Sequence, residues 1–310
     1  MKNNKIKLFS GLILFFLSYL PAFSPGYSPH LWSLGIFCVF FQLGIVLICE
    51  SITWRIAQKS LARSIFKNKK TFFQFLSITT IGGLGLEAVA QWIGKLWFYP
   101  YFSLAIYASV FVGGFALYWL TIIESYFAVK SILDTFRKGK KSIKKYYNFE
   151  KIILPILGII GAILIPVFTL LLLNDYSQQG GYRFNIASTI SHKINFSYII
   201  LIFLGMWFLA ESSEYSQRKT SLLKDIFHHY YVPFFAVLIA SFVLAIAWKM
   251  QNTTHNFWIY LNWPLENLKI LGLPMTMFLA WPLHYIAFIS LFRAISDGLS
   301  KEVWSGDNIK

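Results

Sequence analysis

Apolar residues in this chain fall in long unbroken runs separated by short basic blocks, with little of the alternation that marks half-buried strands or surface helices. LFSGLILFFLSYL, LGIFCVFFQLGIVLI, ILPILGIIGAILIPVFTLLLL and FAVLIASFVLAIAW are the plainest runs. About 20 apolar residues of helix cross a bilayer core, so the pattern predicts an all-α integral membrane protein. Eight spans are expected, near residues 8–24, 31–54, 72–98, 104–130, 152–174, 196–214, 229–250 and 271–292. Pro155, Pro166, Pro233 and Pro282 fall inside or at the ends of these spans, where neighbouring helices can satisfy the freed carbonyls. Too few amphipathic segments remain to cover so many apolar helices in a soluble fold.

Lys and Arg set the expected topology. On the eight-span reading 23 of the 28 fall on one side: Lys2, Lys5 and Lys7, the block from Arg55 to Lys70, the segment from Lys130 to Lys151, Arg218, Lys219 and Lys224, and Arg293, Lys301 and Lys310. Only Lys95, Arg183, Lys193, Lys249 and Lys269 fall on the other. Both termini are therefore expected in the cytoplasm of a multi-pass protein, in a membrane of the bacterial inner type. The first run has a rival reading. Lys2, Lys5 and Lys7 before a short apolar run and Ala22-Phe23-Ser24 also fit a signal peptide. A retained helix is preferred because its removal would break an internal repeat.

Residues 43–99 align without a gap on residues 204–260 at a constant offset of 161. Leu43, Gly44, Glu50, Ser51, Ser60, Leu61, Ile65, Phe66, Phe73, Ile78, Trp97 and Tyr99 recur as Leu204, Gly205, Glu211, Ser212, Ser221, Leu222, Ile226, Phe227, Phe234, Ile239, Trp258 and Tyr260. These are 12 identities in 57 positions, where chance in so biased a composition gives about half as many. The expected organisation is two four-helix repeats, residues 1–148 with the basic loops and residues 149–310. Each has an even number of spans and so both run parallel, about an axis near the membrane normal.

The net charge of +15, carried between apolar runs, points to anionic lipid headgroups rather than nucleic acid. Cys38 and Cys49 lie on one predicted helix about 16 Å apart, too far to pair, and are read as small apolar residues. No metal-ligand spacing, phosphate loop or nucleophile motif is present, and the scattered aspartates argue against diphosphate chemistry. No cofactor or metal is expected.

Ionisable residues inside spans are the candidate chemistry. Glu87 lies deep in GGLGLEAVAQWIG, where a carboxyl costs about 2.5–3.5 kcal/mol to insert. Gly83, Glu87, Gln91 and Gly94 follow one helical face. That face serves either close helix packing or a polar site. Glu124 in YWLTIIESYF and His284 in MFLAWPLHYIAF are the other candidate acid–base groups, and a lone His is commonly an interior hydrogen-bonded residue. Glu50 and Glu211, at span ends before basic loops, read first as structural salt-bridge partners. His228-His229 is a poor metal pair, because adjacent helical positions point about 100° apart. Trp97, Tyr99, Trp258 and Tyr260 read as an aromatic belt, or as a Trp-x-Tyr element shaping the mouth of a pocket.

Trp258-Ile259-Tyr260, a short polar stretch, then Ile270-Leu271-Gly272-Leu273-Pro274 opening an apolar run resembles the membrane lycopene cyclase domain and related integral carotenoid-biosynthesis proteins. Trp97-Phe98-Tyr99-Pro100 followed by Gly113-Gly114 echoes it in the first half. The resemblance covers two stretches of about forty residues. It implies a small helical membrane fold, sometimes tandemly repeated, and a lipophilic ligand. The family's paired glutamates after the proline are replaced here by Met275 and Thr276, so its acids must lie elsewhere if they exist.

Three functions fit. The first is a lipid- or isoprenoid-handling protein of the cyclase-like, isomerising kind, with a pocket between the halves and Glu87 as acid, partnered by Gln91, Glu124 or His284. The second is a non-enzymatic membrane subunit or scaffold, binding membrane lipid, a membrane protein partner or its own copies. The third is a transporter. Convergence of Glu87, Glu124 and His284 on one apolar cavity would favour the first.

Overall fold

The computed structural model describes residues 2–20, 31–58, 60–67, 69–101, 104–137, 147–178, 194–253 and 256–296. Several of the basic residues that set the expected topology, among them Lys59, Lys138 to Lys145, Arg183, Lys193, Lys301 and Lys310, lie outside them, as do residues 21–24 at the end of the first apolar run.

The chain is an all-α membrane architecture. Helices are α1 (Lys2–Leu17), α2 (Leu31–Ala57), the short α3 (Leu61–Lys67), α4 (Lys69–Leu86), α5 (Leu104–Phe136), α6 (Asn148–Ser177), α7 (Phe196–Ser216), the short α8 (Leu222–Phe227), α9 (Val232–Asn252) and α10 (Met277–Ile295). A π-helical segment, Glu87–Ile93, continues α4. Among the described residues seven helices are long and apolar enough to cross a membrane: α2, α4 with its π segment, α5, α6, α7, α9 and α10. Helix α1, with 16 residues, is not among these seven.

Two predicted spans need correction. The third reaches only Ile93, since Gly94 closes the helix and Trp97–Phe98 (β1) is extended. The last begins at Met277 rather than 271, because Lys269–Ile270 (β3) and Leu273–Pro274 (β4) form a hairpin. Its turn residues Leu271 and Gly272 have φ of 52° and 76°, the left-handed pair a tight type I′ turn requires.

Helix α1 packs on α2, α2 on α5 and α4 on α5; likewise α6 packs on α7, α7 on α10 and α9 on α10. Helices α5 with α9, and α4 with α10, join the two sets, so these four make the centre. There Trp119 of α5 stacks on Phe288 of α10 with centroids 4.2 Å apart. Helix α6 stands outermost and leaves Ile152, Ile159, Ile163 and Leu170 exposed, as a lipid-facing helix does.

Glycines set the tightest crossings. A Cβ on Gly44 of α2 would come within 3.0 Å of the Gly11 carbonyl of α1, and one on Gly205 of α7 within 3.2 Å of the Gly161 carbonyl of α6. Without side chains the backbones approach closely enough for dispersion to hold the pair, which is what drives association in lipid.

At the end bearing α3 and α8, here the basic face, buried polar groups are paired. Glu50 bonds Lys7 at 2.9 Å and also Arg63. Glu214 bonds Arg293 at 2.9 Å, and Arg293 also donates to Thr220 at 2.8 Å. Glu150 meets His228 at 3.1 Å, and the Tyr230 hydroxyl donates to Asp134 at 2.9 Å. At the opposite end β1 pairs antiparallel with Ile259–Tyr260 (β2), Trp97 against Tyr260 and Phe98 against Ile259.

Candidate functional site

Beneath that ribbon a cavity of about 420 Å³ opens among α2, the π segment, α5, α7, α9 and α10. A volume of this order suits a small apolar ligand. Its walls are aromatic: Tyr118, Trp248, Trp281, Phe203 and Phe115, with Trp97, Tyr99, Trp258, Tyr260 and Trp263 of the ribbon segments at the outer end. Tyr118 lies 5.1 Å from Trp248, and Trp248 meets Trp281 edge-on at 5.8 Å.

Two of the three candidate acid–base groups face this cavity. Glu87, 3% exposed, lines it from the first position of the π segment. Tyr99 donates to its Oε1 at 3.0 Å, and the Trp97 indole N–H donates to the Tyr99 oxygen at 3.1 Å. His284 lines it from α10, 7% exposed. Its ring lies parallel to Tyr118 at 6.1 Å and edge-on to Phe288 at 4.3 Å. Its Nε2 is buried with no hydrogen-bond partner among the described residues. Gln42 Oε1 and Gln251 Oε1 also lack a partner, while the Gln251 amide donates to the Phe37 carbonyl at 3.1 Å. An apolar chamber with a few unsatisfied polar atoms at fixed points is the common form of a small-molecule site.

Glu124 does not line the cavity. Its Oε1 accepts from the Ala62 N–H at 2.7 Å and from Ser60 at 3.3 Å, so it caps the first turn of α3 at the basic face. Glu211 does the same for α8. It accepts from the Leu223 N–H at 3.2 Å and from Trp207 at 2.7 Å, rather than pairing with a cation of the basic loop. A carboxylate at a helix N-terminus meets otherwise unsatisfied N–H groups and the positive end of the dipole.

Gln91 is buried but absent from the cavity wall. The face drawn through Gly83, Glu87, Gln91 and Gly94 assumed an unbroken α-helix. With i→i+5 bonding, such as Gly94 N–H to Val89 O at 2.9 Å, the register slips, and Leu86, Glu87 and Ala90 are the residues that turn inward. Gly83 instead packs against the Phe115 ring.

Trp97, Tyr99, Trp258 and Tyr260 all line the cavity. The Asn252 side chain brackets Trp258, donating to its carbonyl at 2.8 Å and accepting from its N–H at 3.1 Å. The Trp263 indole and the Leu261 N–H both donate to the Leu96 carbonyl at 2.9 Å. Burial pushes the Tyr260 hydroxyl up, which keeps it neutral, and burial pulls the Lys95 ammonium down.

Tyr118, Trp248, Trp281, Gln42 and Gln251 carried no signal beyond composition. Their runs are apolar on every face, so periodicity could not say which side turns inward. Among the described residues no three His, Cys, Asp or Glu side chains gather as metal ligands. Compared with family models, curated proteins and solved structures, the chain matches none.

Proposed function

We propose that this protein binds an isoprenoid or lipid chain in the aromatic cavity and moves a proton on it. The observation that carries the reading is the presence of Glu87 and His284 on the wall of one apolar chamber. Protonation of a terminal alkene by the Glu87 carboxyl breaks the O–H bond, forms a C–H bond and leaves a tertiary carbocation. Aromatic faces stabilise such a cation. Loss of a proton from the neighbouring carbon to His284 Nε2 then gives a shifted alkene or, after attack by a second alkene, a ring. No electron is gained or lost, and a proton returning from His284 to Glu87 resets the site for the next turnover. The resemblance to the lycopene cyclase domain supports the same ligand class, with Glu87 in place of the missing paired acids.

The cavity would lie between two parallel four-helix repeats, eight spans in all, with the basic face and both termini in the cytoplasm. Support comes from matched helix pairs, from Gly44 and Gly205 at the same relative position in two close crossings, and from the ribbon. Phe98 and Ile259, the pair at one end of that register, are equivalent positions 161 apart. A two-fold axis through them would exchange Trp97 with Trp258 and Tyr99 with Tyr260.

Glu87→Gln tests the chemistry, because it keeps size and hydrogen bonding and removes the acid. Against a panel of polyenes and isoprenoids, purified Glu87→Gln should bind as the parent does and show no turnover. Full turnover by the variant would eliminate Glu87 as the acid. Failure to fold would favour a packing role, locking the π segment to the ribbon.

A further inference from the structure

A second cavity, of about 300 Å³, adjoins the first on the ribbon side. Trp258, Tyr260 and Trp263 line both, so an apolar space and a polar one meet at the same three rings. Lys249, Asn256, Glu266 and Lys269 supply the polar side. The β3–β4 hairpin organises it. Its tight turn fixes Lys269 opposite Pro274, and it sets Gly272 against Lys249, whose Nζ would lie 3.6 Å from a Cβ there. Neither ammonium has an ion-pair partner among the described residues. Basic residues are scarce at this end. Among the described residues the basic ones here are Lys95, Lys249 and Lys269, and two of the three share this one cavity.

We infer that the ligand is amphipathic: an apolar chain in the aromatic cavity, ended by a phosphate group held by Lys249 and Lys269 in the polar one. This rests on the proposal that the aromatic cavity holds a chain. Two ammoniums against one carboxylate, Glu266, leave a net positive chamber that suits a phosphate monoester or diester. The phosphate is a handle and not a leaving group, which agrees with the lack of any acidic metal-binding cluster among the described residues. Such a ligand has two sources, a free prenyl phosphate and a bilayer phospholipid.

The test uses the full chain in detergent with four probes: farnesyl phosphate, farnesol, inorganic phosphate and dihexanoyl phosphatidylglycerol. Farnesyl phosphate should bind at least about tenfold tighter than farnesol, the scale of one charge-assisted hydrogen bond. Lys249→Met with Lys269→Gln should close that gap. Lys269→Gln alone, at an exposed position, should narrow it if the double variant folds poorly. Displacement of farnesyl phosphate by dihexanoyl phosphatidylglycerol, sensitive to the same lysines, would support a phosphate-headed ligand drawn from the bilayer; no displacement would support a free prenyl phosphate. Equal affinity for farnesol and farnesyl phosphate overturns the head site and leaves the aromatic cavity reading intact. Binding of neither overturns both. Inorganic phosphate binding as tightly as farnesyl phosphate overturns the joint site.

Discussion

The Tyr99 hydroxyl donates to Glu87 Oε1 across 3.0 Å, tying the extended ribbon segment to the π turn that carries the acid. Tyr99→Phe removes that donor and keeps the ring. The variant should lose about 0.5–1.5 kcal/mol of stability, the net value of one hydrogen bond, read as an unfolding midpoint in mixed micelles. If Glu87 is the acid, turnover should fall by about tenfold or more with little change in KM, because the carboxyl is no longer held in aim. Unchanged turnover would show that Tyr99 does not position it.

Arg293 and Glu214 form a pair with both side chains buried at the basic face. Arg293→Met leaves an uncompensated carboxylate and should cost about 3–5 kcal/mol. Adding Glu214→Leu should recover a large part of that loss. Equal destabilisation by the single and double variants would show that the pair is not coupled.

Gly161 and Gly85 make a matched comparison. A Cβ on Gly161 would lie 2.8 Å from the Leu209 backbone nitrogen, while one on Gly85 meets nothing within 4 Å. Gly161→Val should destabilise by at least about 1–3 kcal/mol through overpacking. Gly85→Ala should be neutral, or stabilising by up to about 1 kcal/mol from helix propensity. Thermal unfolding of the two variants in one detergent separates them.

Phe66 of α3 and Lys269 of β3 are exposed at opposite ends of the bundle. In a background carrying Cys38→Ala and Cys49→Ala, an impermeant maleimide added to intact cells should label Lys269→Cys and not Phe66→Cys. The reverse pattern would invert the proposed topology.

The long apolar runs made the helical membrane class legible, because about 20 unbroken apolar residues fit a spanning helix, whereas the strands of a membrane barrel alternate. The cavity was legible at its ionisable points and, in one of two readings, at the Trp-x-Tyr segments that line it. Glu87 and His284 stood out as ionisable groups inside spans, but Glu124 stood out equally and caps α3 instead. Nothing in YWLTIIESYF tells an acid aimed at a chamber from one aimed at a helix start 62 residues away. The π segment was invisible because a register slip changes no residue, only the direction in which each one points. In sequence the hairpin at Leu271 and Gly272 looks like the opening of a helix, since Gly and Pro serve both.

Trp97 and Tyr260 stand on opposite sides of α5, α6, α7, α8 and α9 in the chain, yet they face one another in a two-residue ladder. During synthesis the first strand leaves the ribosome well before its partner exists. Until Tyr260 arrives the Glu87 chamber lacks part of its outer wall, and α10, which carries His284 and closes one side, is still unmade. In a nascent or truncated chain Glu87 therefore keeps Tyr99 but lacks part of the wall that screens a carboxyl from lipid. The ribbon can close only after α9 has been made, and the chamber is complete only when α10 has followed.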